Sequence, residues 1–235
     1  MRARCVIAIV GLTGLVGLVG CGGEASDVVG DTTPIEDGVE APPATSGSDP
    51  GVLTGPQARV EQLLLARDDL PDGYSTYREP VDDFAYTCGA PGVAPLGEGV
   101  RAYKTGPYGP IVTEWAGVYA SPDEAAQAFG EYSTIIAGCG SFDLVDDTGG
   151  VVGVTRVSPI DDDPLGDESA AASILQEWSG GLIPNAGAVV VFRRGDVVAI
   201  VSGLYLGGDA TEGLRGIAAL ADEILATRGL ASEPT

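Results

Sequence analysis

The stretch Ala188–Leu206 reads AVVVFRRGDVVAIVSGLYL. Its two halves, Ala188 to Arg193 and Val197 to Leu206, are apolar at alternate and intervening positions alike, so both faces of each are greasy. A strand apolar on both faces is covered on both sides. The tight RRGD link makes the two strands antiparallel neighbours. Together they predict a central hairpin of an antiparallel sheet with helices packed on it, an α+β fold.

Downstream, Asp209 and Glu212 open a helix whose apolar line runs Leu214, Ile217, Ala221, Ile224, Leu225, closed by Arg228 and Gly229. Upstream, Ala171, Ile174, Leu175 and Trp178 share a helical spacing, which predicts a helix over 167–179 stopped by Gly180-Gly181. Strands are expected at 141–145 and 151–158 around DDTGG, and at 98–105 and 111–119 around TGPYGP. In the last of these Val112, Glu114, Ala116 and Val118 share one face, and Trp115 lies on the other. Ser121-Pro122-Asp123-Glu124 has a capping-box pattern, and Ala125, Phe129, Tyr132 and Ile136 continue it as an amphipathic helix ended by Gly138. Before these come a helix starting at Pro56, with Val60, Leu63, Leu64 and Arg67 at helical spacing, a stop at LPDG, and a short strand at 74–78. Strand, strand, helix occurs twice, at 98–137 and 187–228; a duplicated ββα module is one reading and chance recurrence the other.

The N-terminus carries an address. Arg2 and Arg4 precede an uncharged run from Val6 to Val19, too short for the ~20 residues a membrane span needs. The run ends Leu18-Val19-Gly20-Cys21, which resembles the lipobox of bacterial lipoproteins. That resemblance implies a signal peptide over 1–20, diacylglycerol on the thiol of Cys21, and location on the outer face of a cell membrane. The other reading is an ordinary secretion signal with a chance cysteine. Export implies an oxidising compartment. Cys5 leaves with the signal and Cys21 is modified, so Cys88 and Cys139 are expected to form a disulfide; free or catalytic thiols are the alternative. Closing a loop of roughly 50 residues is worth about 4 kcal/mol in the chain-entropy view.

Without residues 1–20 the formal charge is −24, which repels nucleic acid and anionic headgroups. Residues 22–55 hold seven acids, no base and no hydrophobic period. Residues 21–55 therefore read as a lipidated cysteine plus a disordered linker spanning roughly 30–35 Å. One domain is expected over 56–230, with a tail at 231–235.

Catalytic patterns are scarce. The chain has no histidine, which removes Ser-His-Asp and Cys-His nucleophile systems and HExxH zinc sites. Asp147-Thr148-Gly149 spells the aspartic-protease tripeptide, but it occurs once and follows Asp146 where that family has an apolar residue; a β-turn is the plain reading. Asp161-Asp162-Asp163-Pro164-Leu165-Gly166 fits a calcium loop at Asp161, Asp163 and Gly166 and fails at Leu165 and Ala172. Arg194-Gly195-Asp196 spells an adhesion tripeptide that turn chemistry alone explains. No metal site or cofactor is implied. Tyr103, Trp115, Tyr119 and Trp178 are the candidates for lining a ligand cleft, although aromatics at such a periodicity are more often core.

VTEWAGVYASPDEAAQAF followed by AGC, and VVVFRRGDVVAIV followed by a terminal helix, resemble the PknH-like extracellular sensor domain of actinobacterial envelope proteins. The resemblance implies an α+β domain with an antiparallel sheet and a ligand-binding cleft. Members often carry two disulfides; this chain supports one. The expectation is a non-catalytic, membrane-anchored domain binding a small ligand or an envelope protein. Its alternatives are a carboxylate-based envelope hydrolase and a structural component without a cleft.

Overall fold

The computed structural model describes residues 55–78, 88–89, 91–107, 109–146, 148–206 and 210–229. The signal, Cys21, the linker and the 231–235 tail lie outside them, as does Asp147. Eight strands form one sheet: β1 Tyr74–Thr76, β2 Gly97–Thr105, β3 Ile111–Val118, β4 Ser141–Val145, β5 Val151–Ile160, β6 Glu168–Trp178, β7 Asn185–Arg194 and β8 Val197–Leu206. Their order is β1-β2-β3-β8-β7-β6-β5-β4, and every neighbouring pair is antiparallel. Among the described residues three α-helices cover it: α1 Gly55–Leu63, α2 Pro122–Cys139 and α3 Thr211–Gly229.

The expected hairpin is the middle of this sheet. Val190, Phe192, Ala199 and Val201 face α1 and α3, while Val189, Val191, Val198 and Ile200 face α2. Two hydrophobic layers therefore lie on opposite sides of the same two strands, which is why both faces had to be apolar. Gly195, at φ 60°, supplies the left-handed residue of the turn between them. The RGD charges are used internally. Arg194 donates twice to Asp222 on α3, at 2.7 and 2.8 Å, and Asp196 accepts from Arg59 on α1 at 2.7 Å. One turn thus ties both helices of that face.

The strand–strand–helix order does recur, as β2-β3-α2 and β7-β8-α3. A two-fold axis normal to the sheet between β3 and β8 would exchange the strand pairs and leave both helices on one face. They occupy opposite faces, so the recurrence does not superpose as a repeated module.

The segment 167–179 is not the expected helix but strand β6, paired to β5 and β7 on its two sides. Its Ala, Leu, Glu and Gln content favours helix, and tertiary pairing overrides that preference. Ala172 and Ile174 face α2 while Ala171 faces the α1/α3 layer, a period of two that mixed alanines concealed. Ser121 caps α2 by accepting from the Glu124 N–H at 3.2 Å, as expected; Glu124 reaches back to the Ala120 N–H at 3.3 Å, one residue earlier than a capping box requires. Gly138 stays helical, and Gly140 at φ 62° ends the helix instead. Cys139, in the last turn, is disulfide-bonded to Cys88 with Cα atoms 5.4 Å apart. Gly92 then donates to Glu131, and Val93 packs against the α2 layer, so the segment after Cys88 follows the helix.

Candidate functional site

The polar chemistry of the domain concentrates where α1 ends. A helix leaves its last carbonyls unpaired, and here β2 supplies the partner. Arg101 donates to the carbonyls of Glu61 at 2.9 Å, Leu64 at 3.1 Å and Leu65 at 2.8 Å, and to the Glu61 carboxylate at 3.0 Å. The Tyr103 hydroxyl donates to the Leu65 carbonyl as well. The Leu65 N–H donates to Glu114 on β3 at 2.8 Å, directly across the ladder from Arg101. Beyond it, the 3-10 turn Arg67–Asp69 is closed by Asp69 accepting from the Ala66 N–H at 2.7 Å, and Arg228 of α3 donates to both Asp69 oxygens, at 2.8 and 3.0 Å.

Glu114 is 1% exposed, among Val112, Ala116 and Val118 on the α1/α3 face. Burial pushes its carboxyl up to about 8, against the opposing pull of the Leu65 N–H and of Arg101. The folded carboxyl holds its proton more tightly than the unfolded one. Its contribution to stability is therefore full below the ordinary glutamate value and is lost as pH rises through about 8. Glu114→Gln keeps an acceptor for the Leu65 N–H and cannot ionise. Urea unfolding between about pH 5 and 8.5 is expected to show wild-type stability falling relative to the variant as pH rises; parallel profiles would contradict this.

Two open depressions adjoin this junction and meet at Ala66 and Arg101. One, about 570 Å³, lies between Glu61 and Gln62 of α1, Leu64 just after it, and Thr227 and Arg228 of α3. The other, about 330 Å³, lies at the sheet edge between Arg67, Thr76, Tyr77 and Val100. Three of the four aromatic candidates are core residues. Tyr103 belongs to the α1/α3 layer, whereas Trp115 and Tyr119 belong to the α2 layer, so the sheet separates them. Trp115 stacks at a tilt on Tyr132, ring centres 5.7 Å apart, and donates to Glu98 at 3.1 Å. Trp178 is half-buried at the far end of β6. Of the four, Tyr103 alone lines either of these two depressions. The motif readings resolve locally. Asp162 pairs with Arg215 at 2.6 Å, and Asp146 closes its turn by accepting from Thr148 and Gly150 N–H at 3.0 and 2.8 Å. Among the described residues no cluster of His, Cys, Asp or Glu is arranged to hold a metal ion, and no helix is long and apolar enough to cross a membrane.

Sequence reasoning did not single out Glu114, Arg101 or Tyr77. The available signal for the first was one acid on the inward face of an otherwise apolar strand.

No family model matches the chain, and no curated protein matches it. A solved structure does. The fold is similar to that of the extracellular domain of PknH from Mycobacterium tuberculosis. The TM-score is 0.52 at 11% identity, over 77% of this chain and 100% of that one. The resemblance expected from sequence thus holds for the fold.

Proposed function

We propose that the chain is an envelope lipoprotein, moored through Cys21, whose extracytoplasmic domain binds a small ligand or another envelope protein without catalysing a reaction. The observation that supports this most is the likeness in fold to the extracellular domain of a kinase. The Cys88–Cys139 bond fits an oxidising compartment. The lipobox-like LVGC supplies the anchor, and residues 22–55 supply reach. The binding surface in this reading is the pair of depressions around Arg101. The hydrolase alternative needs a carboxyl that meets substrate. Among the described residues Glu114 is the carboxyl raised towards neutrality, and it is buried, accepting from the Leu65 N–H.

Cys21→Ala is the test of the anchor. Expressed in a host that processes lipoproteins, the unaltered chain is expected in the membrane fraction, released by detergent and not by high salt. The variant is expected in the medium or as an uncleaved precursor. Equal membrane retention of both would sink the anchor.

A further inference from the structure

Glu114 has a cation within reach that is engaged elsewhere. Arg101 stands directly opposite it in the β2–β3 register, and side chains opposite one another on neighbouring strands leave the same face of the sheet about 5 Å apart. The guanidinium donates instead to the carbonyls of Glu61, Leu64 and Leu65 and to the Glu61 carboxylate. Arg101 therefore has two sets of partners to choose from, the open end of α1 and the acid across the ladder.

The surroundings make Arg101 the cation that answers a charge on Glu114. Among the described residues the charged or titratable groups near Glu114 are Arg101 and Tyr103 on β2, Glu61 on α1, Asp69 in the 3-10 turn and Arg228 on α3. Arg228 is held by both oxygens of Asp69, at 2.8 and 3.0 Å, so those two charges match each other. The Tyr103 hydroxyl is given to the Leu65 carbonyl. On β8, the residue opposite Glu114 is the apolar Val201. The Glu61 side chain is 40% exposed and can be hydrated when Arg101 leaves it; Glu114, at 1%, cannot.

We infer that Arg101 is a proton-operated latch: with Glu114 neutral it caps the end of α1, and when Glu114 releases its proton to solvent it swings across the ladder to pair with the carboxylate. An unpaired carboxylate at this depth is costly, and bringing a cation onto it offsets that cost. Burial keeps the proton on Glu114 up to about 8, so the capped form persists well above the ordinary glutamate range. After the exchange the Leu65 carbonyl retains the Tyr103 hydroxyl, while the carbonyls of Glu61 and Leu64 lose the guanidinium. Glu61, Leu64, Ala66 and Arg101 all line the depression of about 570 Å³, which thus trades a cationic donor for carbonyl acceptors as pH rises. This last consequence rests on reading the depressions as the binding surface; the latch itself does not.

The test needs no ligand, so failure of the latch and failure of the binding reading are separate results. On the full-length Cys21→Ala chain, the side-chain carboxyl carbon of Glu114 and the guanidinium nitrogens of Arg101 are followed by NMR from about pH 5 to 9.5. The two are expected to move through one shared step, well above the ordinary glutamate range. Beyond the ordinary pH trend, amide exchange at Leu64 and Ala66 should quicken by about tenfold per pH unit up to that midpoint and then level off, while the amides of β7 and β8 follow the ordinary trend. Adding Glu114→Gln, which cannot ionise, should abolish both the Arg101 step and the excess exchange. The pH series on the chain with Glu114 in place decides the matter even where that variant does not fold. An Arg101 signal that stays fixed while Glu114 titrates overturns the latch. So does an Arg101 step that survives Glu114→Gln, or a Glu114 that titrates as an ordinary glutamate. Excess exchange spread evenly over the sheet overturns it too, and leaves only a domain whose global stability depends on pH.

Discussion

Replacing Cys88 and Cys139 together by serine is expected to lower the stability of the domain by about 4 kcal/mol, because the bond closes a loop with a sequence separation of 51. The loss has a structural counterpart. The bond joins the last turn of α2 to the start of the segment that lies along it. In that segment Gly92 donates to Glu131, and Val93 packs against the α2 layer. Without the bond, these contacts must hold the segment alone. Equilibrium urea unfolding with and without reductant gives a direct reading. Reductant should shift the wild-type midpoint to that of the double variant and leave the variant where it is. A wild-type midpoint indifferent to reductant would contradict the role assigned to the bond.

Trp115→Ala is expected to cost a comparable amount, about 3–5 kcal/mol, as truncation of a fully enclosed aromatic does. The side chain is 2% exposed between β3 and α2, stacked on Tyr132, and its loss also leaves Glu98 without its indole donor. The measurement separates the two roles the sequence allowed this residue. A core tryptophan shifts the unfolding midpoint strongly; a cleft tryptophan would leave the midpoint nearly unchanged and lower affinity for a ligand instead.

That ambiguity shows what the sequence makes legible. β7 and β8 could be read directly because burial on both faces leaves no polar position to confuse the period, and the Gly195 turn fixes their pairing. The capped start of α2 was legible for a similar reason, since Ser121 and Pro122 act within one turn of chain. β6 was not legible. Its alanines fit either period, and what makes it a strand is pairing with the strands on both sides of it, Gly153–Ile160 and Asn185–Arg193, which the segment's own residues do not encode. The aromatics were visible as apolar residues, but their assignment to opposite layers depends on sheet topology. The junction at Arg101 was the least accessible. Its residues come from separate stretches of chain, Leu65 just after α1, Tyr103 on β2 and Glu114 on β3, and three of the four hydrogen bonds of Arg101 end on backbone carbonyls, which carry no residue identity. Even the RGD turn was legible only as a turn. That its two charges hold α1 and α3 could be learned from the fold alone.

The central claim is an exported domain, tied by one disulfide and moored at Cys21. The intact mass of the protein isolated from membranes of its native host, taken before and after reduction and alkylation, tests it most directly. The account predicts a chain beginning at an acylated Cys21, with two further thiols that react only after reduction. A chain that retains Met1, carries no acyl group and reacts at Cys88 and Cys139 without reduction would contradict it.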